Sequence, residues 1–127
     1  MEKDFENWNT LKQKIDINSK TIYSYPREIW WCSLGVNIGA EINGKHEVFE
    51  RPIIVLKVYN KETLLVLPLT TKIKEDRFHM PITFKDKKVW AKLTQVRVIS
   101  NKRLIRKIDV LDETQFDELL KIWKDSI

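Results

Sequence analysis

The chain has 127 residues, which favours a single domain built around one hydrophobic core. Hydrophobic residues make up 43% of it and charged residues 32%, and no apolar run approaches the ~20 residues that cross a bilayer. This composition, with a polar, acidic N-terminal stretch, excludes a membrane span and argues against a signal peptide. Cys32 is the single cysteine, so no internal disulfide can form. We therefore expect a cytoplasmic protein in which Cys32 is a buried structural thiol.

The net charge of +5 is distributed unevenly along the chain. Residues 51–107 contain 15 Lys and Arg against 4 Asp and Glu, whereas residues 108–127 contain 2 against 6. A basic face indicates a polyanionic partner such as nucleic acid. Lysines that protect exposed strand edges from aggregation would give the same composition, so charge alone does not separate these interpretations.

The N-terminal segment has helical periodicity. Over residues 1–17, one helical face is formed by Phe5, Trp8, Leu11 and Ile15. Tyr25-Pro26 then marks an extended entry into the next segment. We expect residues 1–26 to form an amphipathic helix and linker that pack on a domain spanning residues 27–127.

The middle of the chain reads as short strands separated by turns and loops. Five or six strands are predicted, over residues 28–34, 52–59, 63–69, 78–84, 88–93 and 95–99. All three glycines lie in the loop after the first strand, and Asn60-Lys61 forms a turn between the second and third. These two strands are nearly all apolar, so they should be central. Trp30 and Trp31 are adjacent and should point to opposite faces, one of them into the core.

The C-terminal part is predicted to be helical. Residues 101–106 suggest a short helix or turn, and Asp112 with Gln115 has the spacing of a capping box. An amphipathic helix follows, with an apolar face made of Phe116, Leu119, Leu120 and Trp123. The predicted fold is mainly β, a small, partly open antiparallel barrel with a helix at each end. Small barrels of this kind often bind oligonucleotides with one face and its loops.

Motifs for metal or cofactor chemistry are missing from the sequence. His46 and His79 lie far apart, and no group of Cys, His, Asp and Glu has ligand spacing. The sequence has neither a P-loop nor a GxGxxG motif, and nothing in it indicates a Ser-His-Asp or Cys-His triad. We therefore predict neither a metal nor a cofactor.

Arg51 and Thr70-Thr71 are the strongest candidates for chemistry. Arg51 begins one predicted strand and Thr70 ends the next, so pairing of the two as a hairpin brings them to the same end. A guanidinium with two hydroxyls could bind a phosphodiester and stabilise charge that develops on phosphorus.

Four segments occur in the order and spacing of a known family. These are GAE at 39–41, RPIIVL at 51–56, PLTTKI at 68–73 and QVRVISNKRLIRKI at 95–108. Over residues 27–124 the chain resembles MazF/PemK-type toxins, the ribosome-independent endoribonucleases of type II toxin–antitoxin modules, and within them a longer-loop, PemK-like subgroup. The resemblance implies an SH3-like barrel, a homodimer and a cognate antitoxin that docks through an acidic segment over the basic face. It also implies metal-independent cleavage of single-stranded RNA, in which the 2′-hydroxyl attacks phosphorus and leaves cyclic-phosphate and 5′-hydroxyl ends.

The resemblance also assigns roles to residues. Arg51 matches the family's catalytic arginine and Thr70 its catalytic threonine. Gln95 and Arg97 match a strand that supports the site and the dimer. The residues expected to contact RNA are Glu41, Lys45, Thr71, Lys72, Gln95 and Arg97. If a histidine deprotonates the 2′-hydroxyl, His46 in the glycine-containing loop is the better candidate, although an ordinary surface role is expected more often for either histidine.

Three departures from the family pattern bear on activity. Ala40 stands where many members have serine, the loop between Glu41 and Arg51 is longer, and the helix at 1–17 is an addition. Two other functions fit the same barrel: a non-catalytic, gyrase-directed poison that acts through its C-terminal helix, and a plain nucleic-acid-binding module. Neither alternative requires the Arg51–Thr70 pair.

Overall fold

The computed structural model describes residues 22–34 and 50–127. In these residues the chain forms seven strands, two short 3-10 turns and one helix. The strands are β1 (Glu28–Ser33), β2 (Glu50–Asn60), β3 (Thr63–Thr70), β4 (His79–Phe84), β5 (Lys87–Lys92), β6 (Arg97–Ser100) and β7 (Leu104–Val110). The 3-10 turns are Leu93–Gln95 and Asn101–Arg103, and the helix, α1, is Glu113–Asp125.

Strand β3 is the centre of an antiparallel sheet with the order β4-β5-β3-β2-β1-β7. One edge of β3 pairs with β2. The other edge is divided, because residues 63–66 pair with β6, whereas Leu69 and Thr70 pair with Ala91 and Trp90 of β5. The end of β3 therefore lies where the β4–β5 hairpin joins the rest of the sheet.

The central strands are buried on both faces. Along β2, Ile54 and Leu56 belong to a core that α1 covers with Phe116 and Leu119. Ile53 and Val55, on the opposite face, belong to a second core. This second core is completed by Trp30, Cys32, Leu34, Leu64, Val66, Ile99 and Leu104. Burial of both faces explains why the segment reads as an unbroken apolar run rather than an alternating one.

Several sequence predictions are confirmed. The fold is mainly β with a C-terminal helix, and Asp112 caps that helix by accepting a 3.0 Å hydrogen bond from the Gln115 backbone N–H. The β4–β5 hairpin turns at Lys85 and Asp86, which both have positive φ, as a two-residue hairpin turn requires. Trp30 lies in the core and Trp31 is only partly buried.

Two predictions near the end of the sheet differ from the structure in their bounds. The strand expected over residues 95–99 begins at Arg97, and Gln95 lies in a 3-10 turn. Val98 is 55% exposed, because Arg97 and Ile99 share the other face of β6. The short helix or turn predicted from residue 101 is confirmed as the 3-10 turn Asn101–Arg103, but β7 begins at Leu104. This strand pairs with β1 at the edge of the sheet, where its charged residues face solvent and hide the strand pattern.

The predicted N-terminal helix over residues 1–17 lies outside the described residues. In the part of the chain that the structure describes, the helix is too short and too polar to cross a membrane.

Candidate active site

Arg51 and Thr70 lie at the same end of the β2–β3 hairpin. Ile53 pairs with Pro68, and two residues further along each strand the same register reaches Arg51 and Thr70. Residues directly opposite each other on neighbouring strands project from the same face. The predicted meeting of the guanidinium and the hydroxyl at one end of the hairpin therefore agrees with the observed register.

The row continues on both sides of this pair. Cys32 of β1 is opposite Arg51, and Trp90 of β5 is opposite Thr70. Four strands thus contribute one residue each to a single row across the sheet. Burial raises the pKa of the Cys32 thiol to about 12, so the thiol stays protonated and unreactive. This agrees with the structural role expected for Cys32.

The two central members of the row are partly or wholly withdrawn from solvent. Arg51 is half-buried, and its burial lowers the pKa of its guanidinium from the ordinary value. Arginine nevertheless remains charged. Thr70 is only 3% exposed, and its Oγ1 accepts a 3.2 Å hydrogen bond from the backbone N–H of Lys72. This bond fixes the hydroxyl oxygen while the hydroxyl proton stays available for donation.

Lys92 is a further component of the site, and it was not predicted from the sequence. Its pKa is lowered, first by burial and then by the positive charges of Lys74, Arg51 and Lys72, whereas Asp76 raises it by less. Three cations therefore lie within electrostatic reach of Lys92. We call these three and Lys92 the cationic cluster, and it consists of Arg51, Lys72, Lys74 and Lys92. A partly desolvated group of like charges favours an anionic ligand.

A sequence signal for Lys92 did exist. Lys88, Trp90 and Lys92 alternate along one strand and so share a face. The pairing of Trp90 with Thr70 then brings that face to the site. This pairing joins two separate hairpins, and local periodicity does not specify it.

The other predicted RNA-contacting residues that the structure describes lie at the end of β3, in the first 3-10 turn and on β6. Thr71 and Lys72 are exposed beside Thr70 at the end of β3. Gln95 is half-buried in its 3-10 turn. Arg97 is opposite Val66, four residues before Thr70, and its charge acts on Arg103 rather than on Lys92.

Arg97 and Arg103 form a second pair of cations. Burial lowers the pKa of Arg103 and the charge of Arg97 lowers it further. The guanidinium of Arg103 donates a 3.3 Å hydrogen bond to the carbonyl of Ser33, at the end of β1. The charges of Arg103 and Arg97 also act on the Cys32 thiol, which is opposite Arg51 in the row. The predicted contacts at Ala40, Glu41, Lys45 and His46 lie outside the described residues.

Among residues 22–34 and 50–127, no three His, Cys, Asp or Glu side chains come together where a metal ion could bind. The described site offers cations and a hydroxyl. Together they can bind a phosphodiester and stabilise additional negative charge on it.

Comparison with known proteins gives a consistent result. A family model described as PemK-like, MazF-like toxin of type II toxin-antitoxin system matches residues 25–126. No curated protein matches the chain significantly. Among solved structures, MazF from Deinococcus radiodurans superposes with a TM-score of 0.69 at 15% identity, covering 82% of this chain and 96% of that one.

Two further solved structures share the fold. The Mycobacterium tuberculosis toxin MazF-mt6 has a TM-score of 0.59 at 17% identity, with coverage of 78% of this chain and 94% of its own. A mycobacterial endoribonuclease in complex with its cognate antitoxin has a TM-score of 0.63 at 8% identity, with coverage of 80% and 92%. At identities this low, the structural similarity shows that these proteins share a fold with this chain.

Proposed function

Because this chain belongs to the PemK-like, MazF-like toxin family of type II toxin–antitoxin systems, we propose that it is an endoribonuclease toxin. It cuts single-stranded RNA at a short sequence without a metal ion. The observation that carries this proposal is the convergence of Arg51, Lys72 and Lys74 on Lys92, at the end of the hairpin that also contributes Thr70. Such a concentration of positive charge matches a phosphodiester backbone.

In the proposed reaction the substrate supplies its own nucleophile. The 2′-hydroxyl attacks the adjacent phosphorus, the bond from phosphorus to the 5′-oxygen breaks, and the products carry a 2′,3′-cyclic phosphate and a 5′-hydroxyl. Arg51 stabilises the additional negative charge on the non-bridging oxygens. Thr70 donates its hydroxyl proton to one of those oxygens and so orients the phosphate.

Lys92 has a separate role in this scheme. Its lowered pKa makes it a stronger acid than an exposed lysine, so it is suited to protonate the departing 5′-oxygen. Lys72 is exposed, and with Lys74 it binds the phosphates on either side of the cut. The proton on the 2′-hydroxyl leaves to solvent or to a base that the site or the loop before β2 provides.

Cleavage of a long RNA of mixed sequence in excess EDTA tests the proposal. Wild type and Arg51→Ala are compared, and fragment ends are identified by mass spectrometry. Discrete fragments with cyclic-phosphate ends that disappear with Arg51→Ala are expected. RNA left intact by the wild type, with toxicity retained by Arg51→Ala and abolished by substitutions on α1, would instead establish a non-catalytic poison. Salt-sensitive RNA binding without any scission would indicate a simple binding module.

We also propose a cytoplasmic homodimer inhibited by a cognate antitoxin. A mycobacterial structural relative was solved with its antitoxin, which supports a protein partner of this kind. An acidic antitoxin segment would compete with RNA for the cationic cluster. Sedimentation of the toxin alone tests the dimer, because a mass near 15.2 kDa at micromolar concentration would contradict it.

A further inference from the structure

A groove lies next to the cationic cluster, between the 72–77 loop and the β4–β5 hairpin. Its volume is about 750 Å³, which is enough for a nucleotide. Its lining combines loop residues with one face of the hairpin, namely Ile73, Lys74, Glu75, Asp76, Arg77, His79, Pro81, Lys88 and Trp90. Lys74 belongs both to this lining and to the cationic cluster, so the two sites are continuous.

Asp76 and His79 form a fixed polar pair in this groove. The imidazole Nδ1 lies 2.7 Å from Asp76 Oδ1, and the same oxygen accepts a 2.8 Å hydrogen bond from the backbone N–H of Phe78. The hydrogen bond from His79 holds the pKa of Asp76 below its ordinary value, so the carboxylate is charged. The His79 side chain is 13% exposed, which restricts the imidazole to the groove side.

This pairing decides what the groove offers to a ligand. The carboxylate accepts hydrogen bonds through Oδ1 from His79 and from the Phe78 backbone, so these contacts fix its orientation. Asp76 Oδ2 makes neither of the two bonds described and is available as an acceptor. A carboxylate oxygen in this position matches the exocyclic amino group of adenine, cytosine or guanine. Uracil has no amino group.

The sheet register places the pair relative to the proposed cleavage site. His79 is opposite Lys92, and Lys92 lies one strand from β3. Neighbouring strands are about 4.8 Å apart and residues rise about 3.3 Å along a strand, so the Cα atoms of Thr70 and His79 are about 12 Å apart. His79 is thus one strand further from Thr70 than Lys92 is, which places it beside the proposed cut, next to a neighbouring nucleotide.

We propose that this groove is a base-reading subsite for the nucleotide next to the scissile phosphate. The base packs against the exposed Pro81 and the accessible edge of Trp90, and its amino group is read by Asp76, which His79 holds in place. Lys88, whose Nζ lies 5.7 Å from the centre of the Trp90 ring, and Arg77 neutralise the attached phosphate. Single-stranded RNA is commonly read in this way, by packing of unstacked bases and by contacts to their edges. The inference rests on the proposed function, because it assumes an RNA substrate at the cationic cluster.

The test compares base preference, position by position, in wild type and in Asp76→Ala, His79→Ala and Glu62→Ala. Glu62→Ala is the control, since it removes one exposed carboxylate from the turn between β2 and β3, outside the groove lining. Each protein cleaves a randomised RNA pool, and the cut ends are sequenced. We expect Asp76→Ala and His79→Ala to reduce by about tenfold the preference for an amino-bearing base at one position beside the cut. Preferences elsewhere, and all preferences of Glu62→Ala, should be unchanged.

A second randomised pool is made as 2′-fluoro RNA, which lacks the nucleophile, and the molecules that bind each protein are sequenced. This binding experiment separates failure of the subsite from failure of the nuclease proposal. If the wild type cuts RNA and Asp76→Ala keeps every preference, the subsite is refuted and the nuclease remains. If the 2′-fluoro pool shows a base preference that Asp76→Ala loses, the subsite holds even when no RNA is cut. A uniform loss of rate in His79→Ala, with preference unchanged, would assign His79 to proton transfer and overturn the proposal.

Discussion

Two groups of cations in this protein differ in how their charge is balanced. At the β1–β7 edge each cation meets a carboxylate, because Lys107 Nζ lies 2.8 Å from Glu28 Oε2 and Arg106 Nη2 lies 3.4 Å from Glu50 Oε2. We call these four residues the paired edge. In the cationic cluster, by contrast, three cations lower the pKa of Lys92 and one carboxylate opposes them by less.

The difference separates residues that stabilise the fold from residues available to a ligand. Paired charges satisfy each other, and their removal should affect stability more than activity. Clustered like charges repel each other in the folded state and so lower its stability, a cost commonly found at functional sites. The paired edge and the cationic cluster should therefore respond in opposite ways to substitution.

The largest expected effect is at Arg51. Arg51→Ala should lower the rate of RNA cleavage by at least about 10²-fold, the scale for removing one electrostatic stabiliser of the transition state. Arg51→Lys should recover only part of this loss, because lysine keeps the charge without the planar fork that binds two phosphate oxygens. Single-turnover rates at saturating RNA measure both. Full activity of Arg51→Ala would remove the distinction between the two groups of cations.

The second effect is a loss of stability at Glu28, within the paired edge. Its side chain is 8% exposed, and the carboxylate accepts hydrogen bonds from the Trp30 indole at 3.1 Å and the Tyr25 backbone at 2.9 Å, besides the contact with Lys107. Glu28→Gln should lower the free energy of unfolding by about 2 kcal/mol at pH 7. RNA cleavage by the folded fraction should not change. Urea denaturation monitored by tryptophan fluorescence checks the first result.

The dependence of this effect on pH has a definite sign. Burial of Glu28 raises its pKa, but the hydrogen bonds from Lys107, Tyr25 and Trp30 outweigh burial and the net pKa is lowered. The carboxylate therefore stabilises the fold fully above its unfolded-state pKa, and this contribution is lost as pH falls through the folded-state pKa. Wild type and Glu28→Gln should converge in stability under acid conditions. A difference that grows on acidification would contradict this assignment.

Substitution of Lys92 should lower activity and raise stability, whereas Glu28→Gln lowers stability and leaves activity unchanged. Lys92→Met should reduce cleavage by about 10²-fold, the lower end of the range for losing a general acid. The same substitution should raise stability at pH 7, because it removes a repelled, partly buried cation. The folded-state pKa lies below the unfolded one, so the penalty is complete below the folded pKa and disappears as pH rises toward about 10.5.

Denaturation of Lys92→Met and wild type at pH 7 and pH 10 measures this trend. The advantage of the variant should shrink at the higher pH. Lys87→Met, an exposed lysine of the same strand, is the control and should change neither property. A Lys92→Met protein that is less stable than wild type at pH 7 would show that Lys92 supports the fold.

The sequence predicts only some members of the cationic cluster and of the paired edge, and the physical reasons differ between them. The apolar runs of β2 and β3 identify central strands, and strand lengths alone bring Arg51 and Thr70 together. Lys92 was missed because its position depends on the pairing of Thr70 with Trp90, between separate hairpins. Strand β7, which carries half of the paired edge, was missed because an edge strand has charged residues where a buried strand would have apolar ones.

The smallest expected effect is at Arg106, and it tests whether pairing alone makes a cation structurally important. Its guanidinium lies 5.1 Å from the centre of the Trp31 ring and reaches Glu50 at 3.4 Å, yet its side chain is 56% exposed. Exposed ion pairs and exposed cation–π contacts each contribute about 0.5 kcal/mol. Arg106→Leu should therefore lower the free energy of unfolding by at most about 1 kcal/mol, less at high salt, and leave cleavage unchanged. If Arg106→Leu instead slowed cleavage as strongly as Lys92→Met, the RNA would have to extend across Trp31, and the paired edge would belong to the binding surface.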